Sequence, residues 1–222
     1  MGLNIDALNV ISVRDADRDR FDQSSTKRQV VLVRPAMVSS VGTWSSPVTP
    51  PLGIAYLAAM LQKAGADVTC IDAIGEKVDQ IIQEGNYVYQ GLTIDEILGR
   101  IPTDVSVIGV SCMFSQDWIY FRKLLHAIRD RFPSALLVVG GEHITALPEF
   151  SLRDCSAIDF CILGEGEETL VEVVNRADDQ EALRRTPGVA FINENGEYVQ
   201  APPRERIKDV DQIPYPAWDL FP

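Results

Sequence analysis

Val30-Val31-Leu32-Val33 is apolar without alternation, the pattern of a central strand covered on both faces of a sheet. A long stretch rich in Ser, Thr, Pro and Gly, Pro35 to Pro51, reads as a loop. Ile54, Leu57, Ala58 and Leu61 then recur at helical spacing, and Gly65 stands where a helix C-cap belongs. Val68 to Ile71 predicts a second strand. Gly75 to Arg100 is longer than a simple connection needs and carries Val78, Ile81, Ile82, Tyr87 and Tyr89. Thr93 followed three residues later by Glu96 resembles a capping box, which predicts a short helix over Ile94 to Arg100.

Val105 to Val110 predicts a third strand, and Trp118, Phe121, Leu125, Ile128 and Phe132 mark one face of a helix that ends before Pro133. A fourth strand over Leu136 to Val139, a fifth over Phe160 to Leu163 and a helix over Glu168 to Asn175 continue the alternation. Strands alternating with connections long enough for crossovers predict a doubly wound, five-stranded parallel sheet of the α/β class, with a Rossmann-like layout. The pattern then changes. Val189 to Ile192 and Glu197 to Gln200 flank Asn193-Glu194-Asn195-Gly196, a hairpin signal, because Asn-Gly tolerates positive φ. Pro202-Pro203 and Ile213-Pro214-Tyr215-Pro216-Ala217-Trp218 read as an extended linker, since proline there prevents a regular helix or ladder.

Composition narrows the partners. The 222 residues carry 46% apolar and 23% charged side chains, as soluble globular chains do, and a formal net charge of −12. That charge argues against nucleic acid, whose affinity comes from neutralising phosphates with Lys and Arg. Met1 to Arg28 is rich in Asp and Arg and lacks the layout of a secretory signal; it is expected to be a flexible or loosely docked extension. No apolar stretch approaches the roughly 18 residues of a membrane span, so the expected location is the cytoplasm. Cys70, Cys112, Cys155 and Cys161 stand apart without C-x-x-C spacing, and buried reduced thiols are expected rather than a zinc or iron–sulfur site.

Candidate chemistry lies at strand ends, where ligands of open α/β sheets bind. The third strand runs into Ser111-Cys112-Met113-Phe114-Ser115, the fourth into Gly140-Gly141-Glu142-His143, and the fifth into Gly164-Glu165-Gly166-Glu167-Glu168. Taken singly, Gly140-Gly141 also fits a tight turn, and the acidic cluster also fits a helix start whose dipole favours carboxylates. No G-x-G-x-x-G follows the first strand and no G-x-x-x-x-G-K-[ST] occurs, so ordinary dinucleotide and P-loop binding lack support.

Four segments in order resemble one family: Pro50-Pro51-Leu52-Gly53-Ile54-Ala55-Tyr56-Leu57-Ala58, Gly109-Val110-Ser111, Gly140 to Glu149, and Gly164 to Leu170. They are similar to the N-terminal cobalamin-binding domain of cobalamin-dependent radical-SAM enzymes, and Asp211 to Leu220 resembles the linker before the radical-SAM barrel. The resemblance covers about residues 29 to 222. It implies an extension over 1–28, a cobalamin-binding domain over 29–180, and a hairpin and linker over 181–222 leading to a C-terminal barrel that this chain lacks.

The resemblance also implies cobalamin on the carboxyl edge of the sheet with its nucleotide tail threaded into the fold. Thr49, Pro51, Leu52 and Gly53 would line the corrin side. Ser111, Gly140 and Gly141 would make room for the tail, with Ser115, Glu142, His143 and Thr145 beside them. Gly164, Glu165, Gly166 and Glu167 would close the cleft, their acids accepting hydrogen bonds from corrin amides. Of the glycine pair, Gly140 is the residue expected to need positive φ.

Related carriers with D-x-H-x-x-G place a cobalt-ligating His after the first strand; Pro35 to Pro51 contains none, so no His ligand is expected from that loop. His143 is expected to be structural or to contact the tail, and His126 to be solvated. The cofactors implied are cobalamin and, for a full-length enzyme, a 4Fe-4S cluster and S-adenosylmethionine. The activity implied is methyl transfer, with cyclisation or rearrangement in some relatives. An interaction domain without cofactor and a stand-alone corrinoid carrier are the competing readings.

Overall fold

The computed structural model describes residues 28–42 and 49–222; the N-terminal extension expected over 1–28 lies, but for Arg28, outside them. Ten strands and eight helices follow one another among the described residues. They are β1 (Gln29–Arg34), β2 (Met37–Ser40), α1 (Leu52–Lys63), β3 (Asp67–Asp72), α2 (Ala73–Glu76), β4 (Ile81–Glu84), β5 (Tyr87–Gln90), α3 (Ile94–Arg100) and β6 (Val107–Ser111). The order continues with α4 (Trp118–Arg131), β7 (Leu136–Gly140), α5 (Glu142–Ala146), α6 (Pro148–Asp154), β8 (Phe160–Ile162), α7 (Glu167–Asn175), α8 (Gln180–Arg184), β9 (Val189–Ile192) and β10 (Tyr198–Gln200).

The expected parallel sheet is present as β3-β1-β6-β7-β8, with Leu32 opposite Cys70 on one side and Gly109 on the other. β9 adds antiparallel to β8, and β10 to β9, so the hairpin extends this sheet to seven strands. The absence of alternation in β1 follows from this setting. Val31 and Val33 face a core made with Phe121, Leu124, Leu125 and Ile128 of α4. Val30 and Leu32 face the other, made with Ile54, Ala58 and Leu61 of α1 and Leu170, Val171 and Val174 of α7. Strand periodicity of two sends neighbours to opposite cores, and both are buried.

The capping box forms as expected: Glu96 N–H donates to Thr93 Oγ1 at 3.2 Å and Thr93 N–H to the Glu96 carboxylate at 2.9 Å. Lys77 and Gln80 also donate to Glu96, and these bonds hold its carboxyl down to about 2. Two regions differ from expectation. β2 forms within the stretch expected as loop, and with β5 and β4 it makes a separate antiparallel sheet. The β4–β5 hairpin turns at Glu84-Gly85-Asn86-Tyr87, with Gly85 at φ +60°. Gly-Asn between Ile81-Ile82 and Tyr87-Val88-Tyr89 is the signal that identifies it. α5 and α6 also fill the connection between the fourth and fifth parallel strands, α6 opening with Pro148 in its first turn, where the missing N–H costs nothing.

The C-terminal stretch does not extend freely. Ala217 is buried, its N–H donates to the Ala55 carbonyl of α1 at 3.0 Å, and Leu220 and Phe221 pack against the α1 side of the sheet. Cys112, Cys155 and Cys161 are buried free thiols as expected, and burial pushes all three up from ordinary thiol values, Cys112 and Cys161 furthest. Cys70 is half-buried and pushed up to about 12, chiefly by burial.

Candidate functional site

A cavity of about 950 Å³ opens along the carboxyl ends of the parallel strands. Its walls come from the exits of β1, β6, β7 and β8, the first turns of α1 and α7, and the segment after β10. Thr49, Pro51, Leu52, Gly53, Ser111, Gly140, Gly141, Glu142, Thr145, Gly164, Glu165, Gly166 and Glu167 all line it. The remaining two residues expected there, Ser115 and His143, do not.

The glycine pair is placed by close backbone approach. Cys112 N–H donates to the Gly140 carbonyl at 2.7 Å and His143 N–H to the Met113 carbonyl at 3.2 Å, which draws the β6 exit against the β7 exit. Gly141 then stands at φ 104°, ψ 176°, where a Cβ would lie 2.6 Å from the Cys112 carbonyl oxygen. Only glycine fits that backbone region. The positive φ expected at Gly140 therefore belongs to Gly141, because the tight approach falls one residue beyond the strand; at Gly140 a Cβ would meet nothing closer than Ile162 O at 3.6 Å.

Short bonds join the other walls. Gly164 N–H donates to Thr145 Oγ1 at 3.1 Å, linking the β8 exit to α5. Ile207 N–H donates to Glu165 at 3.1 Å, and Arg204 pairs with Glu168 and Glu172 while donating to Thr169 Oγ1 at 2.8 Å. These contacts hold the segment after β10 across α7. Arg34 donates to the Thr49 carbonyl at 2.8 Å and lies 3.3 Å from the buried Asp72 carboxylate, which in turn caps α2 through Ile74 N–H. The start of α1 is thereby tied to β1.

His143 is 3% exposed, and its ring is committed on both sides. Ser151 Oγ donates to the Leu147 carbonyl at 2.8 Å, so it accepts from His143 Nε2–H at 3.2 Å. Nδ1 is then the acceptor for the Ser115 hydroxyl at 2.9 Å. Burial lowers the pKa of this imidazole, which stacks 4.7 Å from Trp118. It fastens α5, α6 and the turn before α4 together as a neutral group. His126 is exposed, as expected.

The sequence reading missed Asp117, Arg34, Met37, Phe114 and the Pro203–Arg206 segment, all of which line the cavity. An acid immediately before a helix reads as an ordinary N-cap, so no local signal singles out Asp117. Two carboxylate oxygens on this wall, Asp117 Oδ1 and Glu167 Oε2, are buried without a hydrogen-bond partner among the described residues. Among those residues no group of three or more His, Cys, Asp and Glu is arranged to hold a metal ion, and no helix is long and apolar enough to cross a membrane.

A ligand cleft at the carboxyl edge of a doubly wound sheet, opened by glycines rather than by a phosphate loop, defines a cofactor-binding domain of the Rossmann-like class. The chain belongs to the B12 binding domain family, whose profile matches residues 39–174. It is 32% identical over 197 residues to an uncharacterized methyltransferase of Pyrococcus horikoshii, an alignment covering 87% of this chain and 39% of that protein. Over 201 residues it is 30% identical to the anaerobic magnesium-protoporphyrin IX monomethyl ester cyclase of Cereibacter sphaeroides, covering 87% of this chain and 29% of that one. The solved structure of the cobalamin-dependent S-adenosylmethionine radical enzyme OxsB, with aqua-cobalamin and S-adenosylmethionine bound, superposes with a TM-score of 0.68 at 21% identity. That match covers 87% of this chain and 24% of OxsB and establishes the shared fold. The chain thus spans about two fifths or less of the length of these proteins.

The residues present suit cobalamin on two counts. Gly140 lines the cavity without a side chain and has room beside it, a Cβ there meeting nothing closer than Ile162 O at 3.6 Å, and the two unpartnered carboxylate oxygens match a ligand whose rim carries amide N–H donors.

Proposed function

We propose that this chain is the cobalamin-binding module of a radical-SAM enzyme, a methyltransferase, and that it positions cobalamin for methyl transfer to a substrate chosen elsewhere in the protein. The observation that carries the reading is the convergence of three strand ends and the start of α1 on one glycine-lined cavity. Methyltransferase names among the relatives support the reaction class. In the role proposed, Gly140, Gly141 and Ser111 admit the nucleotide tail, Thr49 to Gly53 lie along the corrin, and Glu142, Glu165 and Glu167 accept from its amides. When bound, cobalamin supplies a cobalt centre able to carry a methyl group; the chain's share is to hold it, orient it and keep water from it. A barrel carrying the 4Fe-4S cluster and S-adenosylmethionine would be the partner domain. We place the protein in the cytoplasm, a reading supported by its four free cysteines.

Titration of the purified chain with hydroxocobalamin, followed by gel filtration, is expected to give about one cobalamin per chain. Electron paramagnetic resonance of the Co(II) form is expected to show a base-off centre without nitrogen superhyperfine splitting from the protein, since no His lines the cavity. A folded, colourless protein would support an interaction domain instead, and protein-derived nitrogen splitting would overturn the base-off, His-free assignment.

A further inference from the structure

Asp117 occupies the position where an acid ordinarily caps a helix. It ends a 3-10 turn over Ser115–Asp117 that runs directly into α4, so its backbone is helical at φ −88°, ψ −2° and its side chain makes no capping bond. The residue is 3% exposed, lines the cavity, and enters no ion pair among the described residues. Its Oδ1 has no hydrogen-bond partner among them either. A buried carboxylate oxygen without a donor costs free energy, and native chains rarely retain one without a use. Burial pushes this carboxyl up to about 6, partly offset by the Val38 backbone and Gln116. Around neutral pH the group is therefore still mainly ionised and acts only as an acceptor.

Resting on the cobalamin reading above, we propose that Asp117 is a cofactor-holding residue whose free Oδ1 accepts a hydrogen bond from cobalamin, from a corrin carboxamide N–H or a ribose hydroxyl of the nucleotide tail. The donor must be neutral or cationic, and both sources satisfy that. Asp117 stands in the cavity wall, and the proposal supplies the donor that its unmet acceptor lacks in the ligand-free chain. It also separates this residue from Ser115, two positions away, whose hydroxyl is spent on His143.

The test uses the whole chain, Asp117→Asn and Asp117→Ala, with hydroxocobalamin and cobinamide, a corrinoid without the nucleotide, as probes. The melting temperature of each ligand-free protein is recorded alongside. A hydrogen bond to a charged group predicts that Asp117→Ala binds cobalamin about tenfold or more weakly, with a smaller loss in Asp117→Asn. The ligand-free Asp117→Asn protein should melt no lower than the wild type, because its amide keeps an oxygen for the Val38 and Gln116 bonds and removes a buried charge. A loss seen with both probes assigns the donor to the corrin rim; a loss seen with cobalamin alone assigns it to the tail; either supports the proposal. Unchanged affinity in both variants overturns it while leaving the cobalamin reading intact. So does a loss confined to a variant whose ligand-free form melts lower, since that is the signature of a wall residue. A wild-type chain that binds neither probe would overturn the functional reading and this assignment together.

Discussion

Adding one methyl group to each of the adjacent glycines Gly140 and Gly141 should have opposite consequences. Gly141 sits in a backbone region that L side chains avoid, at a cost of about 1–3 kcal/mol. Its Cβ would also stand 2.6 Å from the Cys112 carbonyl oxygen and 2.9 Å from the carbonyl carbon. Both are backbone atoms held by the bond from Cys112 N–H to the Gly140 carbonyl, so they cannot rotate aside, and such overpacking adds about 1–3 kcal/mol. Gly141→Ala is therefore expected to lose about 2–6 kcal/mol, a fall in melting temperature on the order of 10 °C for a chain of this size. At Gly140 the added Cβ meets Ile162 O at 3.6 Å, an ordinary contact, and alanine suits a strand better than glycine by about 0.5–1 kcal/mol. Gly140→Ala should keep wild-type stability to within about 1 kcal/mol. Gly140→Leu should then fold yet bind hydroxocobalamin weakly, because its side chain would project along the cavity wall toward Ile162. Thermal unfolding by circular dichroism and cobalamin titration read the two effects separately. A Gly141→Ala protein melting within 2 °C or so of wild type would refute the strain argument. A Gly140→Leu protein with undiminished affinity would refute the placement of the ligand.

Stability of the ligand-free chain should carry the signature of Asp117. A carboxyl lifted by burial from 3.8 to about 6 binds its proton more tightly folded than unfolded, so stability falls as pH rises through that window and the penalty is complete above it. The shift corresponds to at most about 3 kcal/mol, and urea unfolding at pH 4 and pH 7 should show Asp117→Asn gaining on the wild type at the higher pH; an equal gap at both would contradict the buried, unpaired state. The chain alone, reconstituted with iron and sulfide under anaerobic conditions, should release no 5′-deoxyadenosine from S-adenosylmethionine, because its cysteines are dispersed and three are buried with raised pKa values. Production above a no-protein control would overturn that division of labour.

Much of this architecture was legible in local patterns. β1, β3, β6, β7 and β8 are short apolar runs between helical periods, and two-sided burial leaves that trace wherever a strand lies inside a parallel sheet. The capping box at Thr93 and Glu96 and the Asn-Gly hairpin at Asn195-Gly196 were equally readable, since each is a contact between residues close in sequence. Glycines and acids at two strand ends and small or polar residues at a third pointed to the cleft, because parallel strands bring all their carboxyl ends to one edge. Tertiary structure decided what depends on distant partners. Which glycine of the pair is conformationally obligatory was set by how closely Cys112 approaches from the neighbouring strand. His143 became a neutral strut because Ser151 and Ser115 reached its two ring nitrogens. Asp117 makes no cap because a 3-10 turn over Ser115–Asp117 leads into α4, and its bare carboxylate oxygen is set by what the surrounding chain brings around it. Sequence reports the propensity of each segment and the types of side chain it offers; whether a polar atom is satisfied is settled by what the rest of the chain brings within hydrogen-bond reach.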